Sequence, residues 1–288
     1  MTVTARVAPA ERSGQGVASA LVEFRDVAVG FGDLPNVLEG VSFDVREGEF
    51  VSLLGPSGCG KSTCLNVTAG LLKPRAGEVR FNGKSIGRVN TAVGYMTQDD
   101  TLLPWKNVYD NIALPLKIRK VAKPEIRERV ERYLDLMQVA EAAKKYPAQL
   151  SGGMKRRVLL ARAMIYDPQI LLMDEPFAAL DAQMRAELHE ELRRTCLALG
   201  QTVLFVTHDI AESALLSDRV LVVGGGPPST VVAQHTIAFG RDRDLEAIRF
   251  EDRFRSTQQE LHDSLSGGQL SGTGRKRVET GRKGGVTA

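Results

Sequence analysis

Cysteine, long apolar runs and excess charge are all scarce in this sequence, and each shortage excludes a class of protein. The three cysteines, Cys59, Cys64 and Cys196, have neither the paired spacing of a metal site nor that of a disulfide framework, which favours a reducing, cytosolic compartment. No stretch approaches roughly 18 consecutive apolar residues, so the sequence predicts no membrane-spanning helix. The net charge of +3 comes from intermixed acidic and basic residues and gives no reason to expect a nucleic-acid partner.

The two ends of the chain differ in composition from its middle. Residues 1–20 lack an apolar signal core, and we expect them to be a disordered extension. Residues 266–288 are rich in Gly, Ser, Arg and Lys, and we expect a flexible basic tail. Contact with nucleic acid or anionic lipid is one explanation of its basic residues, and solubility is the simpler one. Residues 21–265 remain as the folded domain, long enough to bury a core.

A glycine-rich stretch from Gly55 to Thr63 carries the clearest chemistry. It lies between an apolar run at 50–54 and a predicted helix at 63–69, which is the context of a phosphate-binding loop. Glycines let backbone N–H groups converge on phosphate oxygens, and Lys61 has the length to reach the β- and γ-phosphates. A purely structural glycine turn would leave the filled motif unexplained. We therefore predict a nucleoside triphosphate site formed by Gly55, Ser57, Gly58, Cys59, Gly60, Lys61, Ser62 and Thr63.

Short β-prone runs surround this loop in the first hundred residues. Strands are predicted at 21–29, 41–45, 49–54 and 92–98, and Asn82-Gly83 predicts a hairpin turn. Phe31 lies between the first two strands and could stack on a purine base. A core or loop phenylalanine explains its position equally well.

From about residue 100 the pattern becomes helical, and it then alternates between strands and helices. Apolar residues at helical spacing, punctuated by prolines, predict an inserted helical subdomain at about 100–165. Later elements are predicted as strands at 170–173, 202–206 and 219–223 and helices at 182–199, 210–216 and 245–265. The predicted fold is α/β: a mainly parallel sheet with flanking helices, an antiparallel β subdomain and the inserted α-helical subdomain.

Two acidic residues directly follow the apolar strand at 170–173. Asp174 is placed to hold Mg²⁺ through water, and Glu175 is a candidate general base for the water that attacks the γ-phosphate. Two ordinary surface acids are the alternative, but this does not explain why they cap so apolar a strand. We therefore predict that both residues act in hydrolysis.

Four further motifs resemble those of ABC-type ATPases and appear in that family's order. Leu150-Ser151-Gly152-Gly153 is similar to the signature motif, Gln98 to the Q-loop glutamine, Ala179-Leu180-Asp181 to the D-loop, and Thr207-His208-Asp209 to the switch-histidine region. The resemblance spans roughly residues 21–223. It implies an ATPase with a P-loop NTPase core that uses ATP and Mg²⁺.

In that family two such domains dimerise head to tail around two ATP molecules. The resemblance implies that Ser151, Gly152 and Gly153 reach the ATP of the partner subunit and that Asp181 belongs to the same nucleotide site. A Ser-Gly-Gly at a helix N-terminus is also an anion site on first principles. The implied catalytic residues are Glu175, His208, Gln98 and Lys61, and the implied metal ligands are Ser62, Gln98 and Asp174.

Two features depart from the family's pattern. Met154-Lys155-Arg156-Arg157 follows the signature where the family commonly has Gln-Gln-Arg or Met-Arg-Gln-Arg, which leaves the contacts of this helix open. Leu265-Ser266-Gly267-Gly268-Gln269 spells the signature a second time, but it follows all the other motifs and precedes a stretch that does not readily start a helix. We assign this second copy no catalytic role.

The segment from Leu102 to Val108 resembles the ATPase subunits of nitrate, aliphatic sulfonate and taurine importers. This implies a peripheral subunit at the cytoplasmic face of the cell membrane, bound to a second copy, to integral-membrane permease subunits and, indirectly, to a solute-binding protein. Leu103 and Trp105 would either line the groove that grips a permease helix or pack the subdomain. The alternative is a soluble ABC ATPase acting on a macromolecular complex, against which the single phosphate loop and the lack of heptads argue.

Overall fold

The computed structural model describes residues 20–178 and 180–273, with side chains described as far as residue 267. The rest of the predicted N-terminal extension, Ala179 of the D-loop and residues 274–288 of the predicted tail lie outside the described residues. Ala20 does not belong to an extension, because it begins the first strand.

The strands are, in chain order, β1 (Ala20–Gly30), β2 (Asn36–Arg46), β3 (Phe50–Leu54), β4 (Ala76–Phe81), β5 (Lys84–Ser85), β6 (Val93–Met96), β7 (Ile170–Asp174), β8 (Thr202–Thr207), β9 (Arg219–Gly224) and β10 (Thr230–Thr236). The α-helices are α1 (Lys61–Thr68), α2 (Val108–Ile118), α3 (Lys123–Leu136), α4 (Gly152–Met164), α5 (Ala182–Leu199), α6 (Ile210–Leu216), α7 (Leu245–Ile248) and α8 (Asp252–Thr273).

The first sheet is antiparallel, with the strand order β2-β1-β4-β5. Phe24 of β1 stacks on Phe43 of β2 with ring centroids 4.3 Å apart, in the apolar face of this sheet. The predicted hairpin is confirmed, because Asn82 and Gly83 join β4 to β5 with φ angles of 50° and 71°. Two positive φ angles in succession are what a tight two-residue hairpin turn requires.

The second sheet has the order β10-β9-β3-β8-β7-β6 and carries the site. The five strands from β9 to β6 are parallel, which confirms the predicted core, and β10 pairs antiparallel at the edge. β3, β8 and β9 are buried along their whole length, as expected of strands covered on both faces. Because parallel strands end at the same edge, the residues that follow Leu54, Met173 and Thr207 all emerge on one side of the sheet.

Three helices inserted between β6 and β7 form the helical subdomain. Buried side chains of Ile112 in α2, Val130 in α3 and Val158 in α4 belong to one apolar cluster with the neighbouring strands. Pro115 lies inside α2 and does not separate two helices. All three helices fall within the range predicted for the insertion.

The C-terminal region differs from the sequence-based prediction in two ways. β10 is a strand where none is predicted, and the helix predicted at 245–265 is two helices, α7 and α8. α8 extends to Thr273, so the segment predicted to start a flexible tail at residue 266 is helical as far as 273. Phe254 and Leu261 are buried and anchor α8, and this packing outweighs a cost of about 1 kcal/mol for each helical glycine. Every described helix is too short or too polar to span a bilayer.

Candidate nucleotide-binding and hydrolytic site

The phosphate loop between β3 and α1 needs glycine at two positions for different reasons. Gly60, which caps α1, has a φ of 93°, and a Cβ there would run into the side chains of Leu38 and Val37. A Cβ on Gly55 would run into the carbonyl group of Val223 at the end of β9. The loop therefore packs tightly on the sheet, and its backbone approaches its neighbours as only glycine allows.

Lys61 is buried at the first position of α1. Its Nζ donates hydrogen bonds to the carbonyl oxygens of Gly55 and Pro56, each at 2.8 Å, and lies 3.9 Å from the Sγ of Cys59. The lysine thus folds back across its own loop and holds the loop closed. Burial raises the pKa of the Cys59 thiol and outweighs the opposing effect of the Lys61 charge, so this thiol stays protonated at neutral pH.

Ser62 and Asp174 meet across the edge of the sheet. The Ser62 hydroxyl donates to Asp174 Oδ1 at 2.9 Å, although 112 residues separate them along the chain. Burial raises the pKa of Asp174, the Ser62 hydrogen bond opposes this shift, and the neighbouring Glu175 charge adds to it. A hydroxyl and a partly buried carboxylate at hydrogen-bonding distance are oxygen ligands of the kind that Mg²⁺ prefers. These two of the three predicted metal ligands therefore fit this ion.

Glu175 and His208 are brought together by the ends of β7 and β8. Glu175 has a φ of 44°, an uncommon conformation for a non-glycine residue, and its backbone N–H donates to the Val206 carbonyl at 3.0 Å. Its carboxylate is 14% exposed and lies 3.1 Å from Nδ1 of His208, whose side chain is 52% exposed. The hydrogen bond to Val206 thus holds the Glu175 backbone in this turn, while part of the imidazole of His208 stays open to solvent.

A buried polar network supports the segment around His208, and the sequence analysis missed it. Glu212 accepts hydrogen bonds from the Thr207 hydroxyl at 2.6 Å and contacts His189 Nε2 at 3.2 Å. The Thr207 hydroxyl in turn accepts from the backbone N–H of Asp209, which caps α6. The spacing of Asp209 and Glu212 is the signal that could have revealed part of it, because it resembles a helix-capping pair.

Two predicted site residues are not joined to this constellation by their side chains. Gln98 follows β6 and is exposed; its backbone carbonyl accepts from Arg156, and within residues 20–178 and 180–273 no hydrogen bond or ion pair connects its side chain to Ser62 or Asp174. Phe31 lies in the turn between β1 and β2 and is 44% exposed. Both positions leave the side chain free to meet a ligand.

The remaining predicted residues form a second cluster at the N-termini of α4 and α5. Ser151 caps α4 by accepting from the Met154 N–H at 3.3 Å, and Asp181 caps α5 by accepting from the Met184 N–H at 2.9 Å. Gly153 is buried against the Met184 side chain, which fills the space where a Cβ would lie. Among the described residues, no hydrogen bond or ion pair links this cluster to the phosphate loop.

An apolar groove of about 530 Å³ lies between the core and the helical subdomain. Leu71, Val89 and Ile118 line it and are 54%, 57% and 71% exposed, and Tyr166 and Arg119 also line it. Leu103 and Trp105, the residues suggested by the sequence, are not among the described lining residues.

Comparison with known proteins places these features in one family. The family model described as "ABC transporter" matches residues 38–178. The chain is 41% identical over 230 residues to the nitrate import ATP-binding protein NrtD of Synechococcus elongatus, a match covering 79% of this chain and 84% of that protein. It is 45% identical over 208 residues to the spermidine/putrescine import ATP-binding protein PotA of Thermotoga maritima, covering 71% of this chain and 56% of that protein.

The fold is also similar to that of a solved cassette. The dimeric post-hydrolysis structure of the ATP-binding cassette MJ0796, bound to ADP and Pi, matches with a TM-score of 0.65 and 30% sequence identity. The match covers 75% of this chain and 98% of that one.

Proposed function

The chain belongs to the ABC transporter family and is an ATP-binding ATPase, and from this premise we propose that it energises the import of a small solute. The observation that carries this proposal is the Ser62, Asp174, Glu175 and His208 constellation beside the phosphate loop. Import is favoured over the action of a soluble ABC ATPase because both relatives above are import ATP-binding proteins. Nitrate, an aliphatic sulfonate or taurine is the solute we infer from the relative NrtD and from the segment at 102–108.

Each residue of the constellation has a separate role in this proposal. The phosphate loop and Lys61 bind the β- and γ-phosphates. To reach them, the Lys61 ammonium group gives up its hydrogen bonds to the Gly55 and Pro56 carbonyls. Ser62, Asp174 and Gln98 would hold Mg²⁺, which when bound neutralises charge on the phosphates. Glu175 accepts the proton of the attacking water, and His208, held 3.1 Å away, orients that carboxylate and donates toward the γ-phosphate.

A head-to-tail homodimer completes the site. Ser151 and Gly152 are exposed at the N-terminus of α4, and among the described residues their cluster has no link to the phosphate loop of its own chain. An N-terminus of a 13-residue helix with free backbone N–H groups favours an anion, and the γ-phosphate bound by the partner subunit supplies one. The dimeric state of the MJ0796 cassette supports this arrangement.

The apolar groove is our candidate for the permease contact. Its exposed Leu71, Val89 and Ile118 form an apolar patch beside the basic Arg119, which suits a short amphipathic helix with an acidic end. Closure of the dimer would move this groove together with α2 and α4. The location at the cytoplasmic face of a membrane, and a solute-binding protein beyond it, follow from this partnership.

The first test is Mg²⁺-dependent phosphate release from ATP by the purified chain. Lys61→Ala should lower the rate by about 100-fold or more, because it removes a charge that faces the developing negative charge. Lys84→Ala, an exposed lysine in β5, serves as the matched control. Equal rates for the two variants would contradict the assignment of the phosphate loop.

The second test concerns import. The tagged chain and the membrane subunits that co-purify with it are reconstituted into vesicles, and ATP-driven uptake of nitrate, taurine, an alkyl sulfonate and spermidine is compared. Ile118→Asp should abolish co-purification while the free subunit keeps its ATPase activity, whereas Phe250→Asp, which is similarly exposed but lies outside the groove, should behave as wild type. If both variants still co-purify with the membrane subunits, the groove assignment is wrong.

A further inference from the structure

Helix α4 departs from the family's pattern at Arg156, and the structure gives this residue a defined contact. Arg156 is only 8% exposed, and its Nη2 donates to the backbone carbonyl oxygen of Gln98 at 2.9 Å. We propose that Arg156 is a positioning residue that fixes Gln98 relative to the helix starting at Ser151. The inference rests on the proposed ATPase mechanism, in which Gln98 acts at the chain's own ATP.

Two other cations of α4 bind residues two and three positions after Gln98. Lys155 Nζ lies 3.0 Å from a carboxylate oxygen of Asp100. Arg162 donates to the carbonyl oxygen of Thr101 at 2.9 Å and to its hydroxyl at 2.7 Å. Helix α4 therefore holds the segment from Gln98 to Thr101 through three side chains.

The charge of Arg156 indicates that it does more than satisfy one carbonyl. A neutral amide could donate the same hydrogen bond at a lower desolvation cost, since burying a guanidinium is expensive. Burial lowers the pKa of Arg156, and the carboxylates of Asp100 and Asp99 act against that shift. The cation thus attracts both carboxylates as well as the carbonyl. Its Nη1 is buried without a hydrogen-bond partner, so the contact to Gln98 is the one hydrogen bond that the Arg156 side chain makes among the described residues.

The consequence is a mechanical link between two ATP sites. Ser151, which caps α4, is proposed to touch the partner subunit's ATP, and Gln98 the chain's own ATP. Because of the Arg156 contact, Gln98 and the N-terminus of α4 move together. Closure of the dimer, which brings Ser151 to the partner subunit's ATP, therefore also places Gln98 at the chain's own ATP. Loss of the contact should slow turnover and leave nucleotide binding intact, because the phosphate loop lies elsewhere.

The experiment compares Arg156→Met, which removes both the donor and the charge, with Arg156→Lys and with the control Arg127→Met, whose arginine is exposed on α3. Arg156→Met should lower kcat about tenfold with KM for ATP within about twofold of wild type, and Arg156→Lys should restore most of kcat by restoring the charge and a donor. Hydrogen–deuterium exchange of residues 97–103 in the nucleotide-free protein should rise several-fold in Arg156→Met only. Thermal unfolding of each variant shows whether the fold is kept.

Three results would overturn the proposal. The first is a kcat for Arg156→Met equal to that of Arg127→Met, whatever the exchange data show. The second is a parallel loss of kcat, ATP affinity and thermal stability that lysine does not rescue, because this indicates a general structural role. The third is a hydrogen–deuterium exchange rate at residues 97–103 that is the same in wild type and in the Arg156 variant that lacks the charge. Failure of the ATPase mechanism itself is distinguishable, because then the wild type would lack Mg²⁺-dependent hydrolysis while the exchange difference would remain.

Discussion

The Nδ1 atom of His208 lies 3.1 Å from the carboxylate of Glu175, and the two residues directly follow the adjacent parallel strands β8 and β7. The side chain of Glu175 is largely buried, whereas half of the imidazole is exposed. A largely buried carboxylate is thus in contact with a histidine that faces solvent. In our proposal this contact orients Glu175 as the general base before ATP arrives.

His208→Ala should lower kcat for ATP hydrolysis by about 100-fold, because it removes both the partner of Glu175 and a donor to the transferred phosphate. The dissociation constant of ATP should change by less than about threefold, since the loop and Lys61 supply most of the binding. Isothermal titration and phosphate release measure the two quantities. If His208→Ala has the kcat of wild type, His208 takes no part in hydrolysis.

Glu212→Gln should destabilise the protein by about 1–3 kcal/mol at pH 7, although Glu212 takes no direct part in the chemistry of our proposal. Burial alone would raise the pKa of Glu212, but hydrogen bonds from His189 and Thr207 outweigh it and leave the pKa below its usual 4.5. A carboxylate with a lowered pKa stabilises the fold above the unfolded-state pKa, and this contribution is lost as pH falls. The difference between wild type and variant should therefore shrink below about pH 4.5. Urea unfolding at pH 7 and pH 4 checks this, and a constant difference would contradict it.

Asp174→Asn should abolish hydrolysis and yet raise the stability of the nucleotide-free protein at neutral pH, by about 0.5–2 kcal/mol. The reason is that burial raises the pKa of Asp174, so its charged form costs free energy in the folded state. The gain is present above the raised pKa, and it disappears as the pH falls through that pKa toward the ordinary value of 3.8. Thermal unfolding without nucleotide measures it. A destabilised variant at pH 7 would show that the carboxylate is favourably solvated.

Gly152→Ala separates folding from the proposed contact with the partner subunit's ATP. Among the described residues, a Cβ at this position would meet only Leu180, at an ordinary contact distance of 3.5 Å, and alanine favours a helix by up to about 1 kcal/mol. The monomer should therefore be as stable as wild type or more stable. ATP-driven dimerisation and hydrolysis should fall at least about tenfold, because the methyl group blocks close approach of a phosphate. Unchanged hydrolysis would argue against the role of this helix end.

The fold was largely predictable because its signals are local and strong. The apolar run at 170–173 and the glycines of the phosphate loop leave few alternatives, and parallel pairing then brings Asp174 and His208 to one edge. The helix at 182–199 was predicted to the residue, since Gly200 ends it in a left-handed conformation.

The parts of the fold and of the site that the sequence did not predict depend on tertiary contacts, which no local pattern reveals. The end of α8 was missed because buried Phe254 and Leu261 stabilise a helix that runs on through poor helix formers. The network of Glu212 and His189 joins residues 23 positions apart, and Arg156 reaches a carbonyl 58 positions away. Contacts of this kind are set by packing between elements, so sequence spacing does not predict them.

The measurement that tests the central claim most directly is size-exclusion chromatography of wild type and Glu175→Gln with ATP and Mg²⁺. If Glu175 is the general base, the variant keeps ATP and elutes as a dimer only with the nucleotide, while wild type hydrolyses ATP and returns to monomer. The rate of phosphate release by Glu175→Gln should be at least about 100-fold lower than that of wild type. A variant that stays monomeric under all conditions and hydrolyses ATP at the wild-type rate would contradict both the base and the head-to-tail site.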